Sequence, residues 1–126
     1  MRRLLLLAAG LWLGSLTACK KDDTPKVECY SGVVIGETCM DGVLIEVNSA
    51  TPIGKPINVF GITGTNVVAA VNDLGSQAQK GKTIFFTYQS SPNNAGPLRP
   101  CPQNTAPLAI PHLILSNVSA TGCGKF

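Results

Sequence analysis

Four cysteines limit how the C-terminal part of this 126-residue chain can fold. Cys29, Cys39, Cys101 and Cys123 form an even set that can pair completely as two disulfides in an oxidising compartment. The segment that they enclose has about 95 residues, which is the size of one small domain. Each crosslink contributes roughly 2 to 4 kcal/mol to the stability of a core this small. The sequence therefore predicts a single disulfide-stapled domain over residues 29–126.

The composition of this segment favours an all-β fold. It is poor in charged residues and rich in Gly, Pro, Val, Ile, Thr and Asn, and no window of about 11 residues has the helical period of about 3.6. A helical turn is predicted at residues 73–79. Strands are predicted at residues 30–35, 43–48, 66–72, 83–89 and 112–120, with a weaker one at 57–62.

The patterns inside these strands indicate which faces are buried. Val43, Ile45 and Val47 share one face of the second predicted strand, so we expect that face to pack against the core. Residues 67–71 are apolar on both faces, as in a central strand that is covered on both sides. The dipeptide Asp41-Gly42 favours a tight turn, because glycine readily adopts a positive φ. The first two strands are therefore predicted to form a hairpin.

Five strands with a short helical segment between the third and the fourth resemble the OB-fold, a small Greek-key β-barrel. A six- or seven-stranded β-sandwich is the alternative. The OB-fold implies that strands one, three and five run in one direction and strands two and four in the other. Strand direction then brings Cys29 close to Cys101, and Cys39 close to Cys123. Four cysteines allow three pairings in all, and the resemblance implies these two bonds.

The N-terminus has the layout of a secretory signal. Two arginines precede an apolar run over residues 4–16, and small residues follow it. The run has about 13 residues, fewer than the ~20 that a membrane-spanning helix needs. Leu16-Thr17-Ala18-Cys19 resembles the lipobox of bacterial lipoproteins. That resemblance implies removal of a signal peptide over residues 1–18 and attachment of a diacylglycerol to the Cys19 sulfur, which also accounts for the odd fifth cysteine.

Residues 19–28 are predicted to be the lipidated cysteine and a flexible charged tether. Lys21-Asp22-Asp23 resembles the export signal of outer-membrane lipoproteins of Bacteroidota. The resemblance implies an outer-membrane protein, held by the acyl chains on Cys19, that faces the periplasm or the cell surface. The precursor has ten basic and seven acidic residues, so loss of two arginines leaves eight and seven, a net charge of +1. Without a polybasic patch, nucleic acid is not an expected partner.

The longest irregular segment covers residues 90–111 and contains six prolines. Segments of this length are usually functional or disordered. The alternative is a covering loop that closes one end of the barrel. Amide and guanidinium groups in this segment suit a polar ligand such as a glycan. The predicted ligand loop consists of Asn93, Asn94, Arg99, Gln103 and Asn104.

Patterns for catalysis and metal binding are weak in this chain. The cysteines contain no close pair and His112 is the single histidine, so neither a metal site nor a cofactor is predicted. His112 follows a proline at a predicted strand start, and no motif links it to a nucleophile or to an orienting acid. A glycosidase-like pair of carboxylates, Glu37 and Asp41, is the other catalytic arrangement that the spacing permits. We therefore predict that the protein is not an enzyme.

The whole chain resembles small outer-membrane and surface lipoproteins of Bacteroidota, which combine a lipobox, a charged tether and a cysteine-stapled β domain. The predicted function is a non-enzymatic binding or accessory module of the outer membrane or cell surface, with a glycan or an envelope protein as partner. Two alternatives stay open. One is a small hydrolase that uses His112 with a loop carboxylate, and the other is a purely structural envelope lipoprotein.

Overall fold

The structure of the protein, a computed structural model, describes residues 28–124. The predicted signal peptide, Cys19 and nearly all of the tether lie outside these residues. Within residues 28–124, no helix has the length and apolar character needed to cross a membrane. Short 3₁₀ helices lie at Gly75–Ala78 and Pro92–Asn94. The six strands are β1 (Tyr30–Thr38), β2 (Gly42–Asn48), β3 (Lys55–Val59), β4 (Ile62–Ala70), β5 (Thr83–Ser90) and β6 (His112–Ser119).

The all-β prediction is confirmed, and the five main predicted strands correspond to β1, β2, β4, β5 and β6. The weaker predicted strand at residues 57–62 is present as β3, but its predicted end is wrong, because a turn at Phe60 and Gly61 stops the strand at Val59. Both turn residues have a positive φ, 52° for Phe60 and 73° for Gly61. As a result β3 ends at Val59 and β4 begins at Ile62, and the sheet has six strands instead of five. The helical turn predicted between β4 and β5 is present as the first 3₁₀ helix.

β1 and β2 form the predicted hairpin, with Thr38 opposite Gly42. Gly42 has a φ of 96°, and a Cβ atom at this position would lie 2.2 Å from the carbonyl oxygen of Ala70 in β4. Only glycine has both the conformational freedom and the absence of a side chain that this approach requires. The Asp41-Gly42 dipeptide thus both turns the chain and lets β2 pair closely with β4.

Five of the six strands form a continuous series of pairings that begins and ends at β1. β2 pairs with β1 and with β4, and both pairs are antiparallel. β4 pairs in parallel with β6, which pairs antiparallel with β5. β5 then pairs antiparallel with β1. β3 lies outside this circuit, because it pairs only with the first part of β4.

Two apolar clusters fill the domain, one on each face of the central strands. Val43, Ile45 and Val47 of β2 belong to the larger cluster, as their alternation predicts, together with Phe86 and Leu115. Their neighbour Leu44 points into the smaller cluster. The predicted two-sided burial of β4 is also confirmed. Val68 and Ala70 face the larger cluster, whereas Val67 and Ala69 face the smaller one.

All four cysteines of the domain are paired, but not as the OB-fold resemblance implies. The disulfides join Cys29 to Cys123 and Cys39 to Cys101, with Cα atoms 5.9 Å and 5.8 Å apart. The predicted pairs Cys29–Cys101 and Cys39–Cys123 are therefore wrong.

The reason is the stagger between strands, which strand direction alone does not predict. Ser90 at the end of β5 is level with Leu113, Leu113 is level with Ala70, and Ala70 is level with Val43. The end of β5 consequently lies beside the β1–β2 turn, and the loop that follows it reaches Cys39.

Candidate functional site

A groove opens where three connecting segments meet at the Cys39 end of β1. Its cavity volume is about 530 Å³, and its walls are the β1–β2 turn at residues 37–41, the β3–β4 turn at residues 59–62, and loop residues 104–108. We call this cavity the Phe60 groove. Its walls are more apolar than polar, since Val59, Ile62 and Leu108 line it. The three segments are distant in sequence, so only the fold brings them together.

Phe60 stands at the rim of this groove in an unusual position. Its side chain is 84% exposed, although it is one of the largest apolar side chains of the domain. Two-residue hairpin turns with a positive φ at both positions usually contain Asn-Gly or Gly-Gly, because a bulky side chain is strained there. Phe60 adopts a φ of 52° at the first of these positions. A positive φ at a bulky residue has a conformational cost, so Phe60 is a candidate functional residue.

Asp41 and His112 form a buried pair beneath the groove. Nε2 of His112 lies 2.7 Å from Oδ1 of Asp41, and each side chain is only 1% exposed. The two residues are 71 positions apart in sequence. Asp41 lies in the β1–β2 turn and His112 begins β6, so the pair joins these two elements.

The Asp41 carboxylate also holds two walls of the groove. Oδ2 accepts a hydrogen bond of 2.6 Å from the Thr38 hydroxyl at the end of β1. Oδ1 accepts a second bond of 2.8 Å from the backbone N–H of Leu108 in the long loop. A buried carboxylate is stable in a protein only when such donors replace its hydration. Through these contacts Asp41 connects the β1–β2 turn to the long loop and to the start of β6.

The geometry of His112 is poorly suited to catalysis. Nε2 is occupied by Asp41, and Nδ1 is buried with no hydrogen-bond partner among residues 28–124. A general base must reach the proton that it removes, within hydrogen-bond distance or through one water. The carboxylate pair Glu37 and Asp41 is not brought into one open site either, because Asp41 is buried while Glu37 is exposed beside Arg99.

Of the five predicted ligand-loop residues, Arg99 and Asn94 hold the loop in place. Arg99 donates hydrogen bonds to the carbonyl oxygens of Cys39 (2.8 Å) and Thr38 (2.7 Å), and its Nη1 lies 3.3 Å from Glu37. Asn94 donates to the carbonyl of Ile110 and accepts from the His112 N–H. These contacts hold the long loop across the end of the domain. The part of the loop that contains Asn94 and Arg99 therefore has the form of the covering loop that was the alternative prediction.

The other three predicted residues are exposed, and one of them reaches the groove. Asn93 has a φ of 55° and lies at the surface, as does Gln103. Asn104 is exposed and lines the Phe60 groove together with Thr105. Phe60 was not among the predicted site residues, because an aromatic residue before glycine is not a standard hairpin signal. The alternation of apolar residues on both sides of Phe60-Gly61 was the one signal that could have located it.

The opposite end of β1 carries the start of the described chain. Cys29 is bonded to Cys123 there, and the Tyr30 hydroxyl donates to the Glu28 carboxylate. This hydrogen bond, together with burial, raises the pKa of Tyr30 above its ordinary value. The tether predicted at residues 19–28 therefore joins the domain at this end, which we call the tether end. Cys29 and Cys39 flank β1 and are up to about 30 Å apart at ~3.3 Å per residue.

No three His, Cys, Asp or Glu side chains in the described part of the chain are grouped so that they could hold a metal ion. The sequence matches no protein-family model, and no curated protein or solved structure matches it.

Proposed function

We propose that this protein is a lipid-anchored, non-enzymatic binding module of the bacterial outer membrane that captures its partner in the Phe60 groove. The observation that carries the proposal is the separation of the two ends of β1. The tether joins the domain beside Cys29, whereas the groove lies beside Cys39. A domain attached in this way can present its groove away from the lipid surface, towards partners in the periplasm or outside the cell.

Anchorage through acyl chains on Cys19 is supported by the cysteine pairing. The four other cysteines are all consumed in two disulfides, which are typical of proteins outside the cytoplasm. Cys19 is thus the one cysteine of the sequence left without a disulfide partner, and it is the last residue of the lipobox-like motif. We expect the full chain to incorporate labelled palmitate in cells, and the Cys19→Ala variant to lose both the label and membrane sedimentation. Equal labelling of the two proteins would overturn the anchor.

We also propose that the domain is an OB-like Greek-key barrel to which one strand, β3, has been added at the edge of β4. Support comes from the pairing circuit through β1, β2, β4, β6 and β5, with a parallel β4–β6 pair and a short helical turn between β4 and β5. β3 then packs Ile57 into the smaller apolar cluster, to which the long loop contributes Leu108 and Ile110. In this arrangement Phe60 projects beside the β1–β2 turn.

Photocrosslinking in cells tests the binding function without knowledge of the partner. A photoreactive benzoylphenylalanine replaces either Ala106 in the groove or Ala120 at the tether end, two exposed alanines in the same chain. We expect position 106 to crosslink to an envelope component, and we expect position 120 not to crosslink to that component. Equal products from both positions, or none from position 106, would contradict binding in the groove and favour a purely structural lipoprotein.

A small hydrolase is the second candidate, because Asp41 and His112 do form a carboxylate–histidine pair. That function requires the full chain to cleave an ester or a glycoside, and requires His112→Gln to abolish the activity while Asp73→Asn retains it. The inaccessibility of His112 Nδ1 is the reason that we place binding first.

A further inference from the structure

We propose that the Phe60 groove binds a neutral carbohydrate, with one sugar ring stacked on the Phe60 ring. This assignment rests on the proposed binding function and gives the partner a chemical class. Three properties of the groove support it: an exposed aromatic ring, a rim of uncharged polar groups, and the lack of a cationic side chain among the described residues that line it.

The aromatic plane is the first property. The Phe60 ring is 84% exposed and is held at the tip of a two-residue hairpin turn. An aromatic ring carries partial negative charge on its face, and it attracts groups with positive edges. The apolar face of a pyranose ring, with its row of polarised C–H groups, matches such a surface in size and charge.

The second property is the polar rim. Asn104 and Thr105 line the groove on the side of the long loop, and both are exposed. The Thr105 hydroxyl donates to the carbonyl of Pro102 at 2.6 Å, which leaves its oxygen able to accept from a ligand. The Asn104 amide has both a donor and an acceptor. A sugar presents hydroxyl groups around the edge of its apolar face, so one ring can stack on Phe60 and bond to this rim.

Charge is the third property. Glu37 and Asp41 are the ionisable side chains among the described residues that line the groove, and each is already in contact with another side chain. Glu37 lies 3.3 Å from Arg99, and Asp41 lies 2.7 Å from His112. Within the described residues that line the groove, no free cation is available for a sulfated or carboxylated ligand. These walls therefore favour a neutral sugar over an acidic one.

An acyl chain or an apolar peptide side chain is the competing occupant. Either would use Val59, Ile62 and Leu108 as a hydrophobic surface, and neither would need the planarity of residue 60. The two kinds of ligand consequently respond differently to Phe60→Leu, which keeps an apolar side chain but removes the ring face.

The test uses the full chain in a polyoxyethylene detergent, because detergents with sugar headgroups would compete for the groove. The probes are neutral hexasaccharides of glucose, mannose, galactose, xylose and N-acetylglucosamine. Their binding to the protein is measured by isothermal titration calorimetry. We expect at least one probe to bind. Phe60→Asn and Phe60→Leu should weaken that binding by about tenfold or more, which corresponds to ~1.4 kcal/mol, and Phe60→Tyr should change it by less than about threefold.

Leu98→Asn is the matched control, because Leu98, like Phe60, is a large apolar side chain that is mostly exposed, and it does not line the groove. The Leu98→Asn variant should bind the hexasaccharide with the same affinity as the unmodified chain. Binding that is unchanged in Phe60→Asn, binding retained in Phe60→Leu, or no binding of any hexasaccharide would overturn the carbohydrate assignment. If crosslinking from position 106 persists in that case, the binding function stands and only the ligand class is wrong. If crosslinking is also absent, both proposals fail.

Discussion

Nε2 of His112 and Oδ1 of Asp41 lie 2.7 Å apart, with both side chains only 1% exposed. This contact joins the first residue of β6 to the turn between β1 and β2. The same carboxylate accepts hydrogen bonds from Thr38 and Leu108, which belong to two walls of the groove. The buried pair therefore connects two walls of the candidate site.

Removal of the carboxylate should be strongly destabilising, since Asp41→Ala leaves a buried imidazole, a hydroxyl and a backbone N–H without their acceptor. We expect a loss of about 3 to 5 kcal/mol in the free energy of unfolding, measured by denaturant titration. Asp41→Asn keeps an oxygen acceptor and should lose about 1 to 3 kcal/mol. The exposed Asp73→Ala is the control and should stay within about 1 kcal/mol of the unmodified chain. A loss for Asp41→Ala no larger than that of the control would contradict this connecting role.

Phe60→Asn should make the domain more stable while it disables the groove. Asparagine tolerates a positive φ and forms a favourable turn with the following glycine, whereas Phe60 is strained there. We expect a gain of about 1 kcal/mol in the free energy of unfolding. Leu98→Asn changes an even more exposed side chain in another loop and should leave the free energy of unfolding within about 0.5 kcal/mol. If Phe60→Asn lowers stability, then Phe60 has a structural role and the argument from strain fails.

A digest under nonreducing conditions should contain Cys29 linked to Cys123 and Cys39 linked to Cys101. Cleavage after Glu37 separates Cys29 from Cys39, and chymotryptic cleavage after the leucines near residues 108–115 separates the other two. Mass spectrometry of the linked peptides reads the pairing directly. Loss of the Cys39–Cys101 bond by a double change to alanine should lower the free energy of unfolding by roughly 2 to 4 kcal/mol. Any peptide that links Cys29 to Cys39 or Cys101 would contradict this fold.

Tyr30 should ionise at a higher pH than an ordinary tyrosine, because its hydroxyl donates to the Glu28 carboxylate and is partly buried. The raised pKa means that the folded chain keeps a proton which the unfolded chain releases near pH ~10. This contribution to stability is present below that pH and is lost as the pH rises through the folded pKa. Titration of absorbance at 295 nm should show the late ionisation, and Glu28→Gln should lower the pKa of Tyr30. Identical curves for the two proteins would show that Glu28 has no such effect.

Local patterns predicted those parts of the fold that depend on neighbouring residues. The alternation of Val43, Ile45 and Val47 identified the buried face of β2, and Asp41-Gly42 identified the hairpin turn. Apolar residues on both faces of β4 predicted its central place. These properties follow from periodicity and turn chemistry, which the sequence displays within a few residues.

The remaining features depend on relationships between distant segments. The stagger that brings the end of β5 beside Cys39 accumulates over three strand pairs, so the disulfide pairing could not be derived from strand direction. Asp41 and His112 share no local motif, because 71 positions separate them. The turn at Phe60 was not predicted although it is a local feature, because turn positions with a positive φ usually hold Asn, Asp or Gly and this one holds a phenylalanine.

The groove and its aromatic residue are tested most directly by crosslinking in cells from position 106, in the unmodified chain and in the Phe60→Asn variant. This measurement does not depend on the identity of the ligand, and the variant is expected to fold at least as well as the parent. The account predicts that the crosslinked envelope component obtained with Phe60 is lost, or reduced by about tenfold, with asparagine at that position. An equal yield of the same component from both proteins would contradict binding through Phe60.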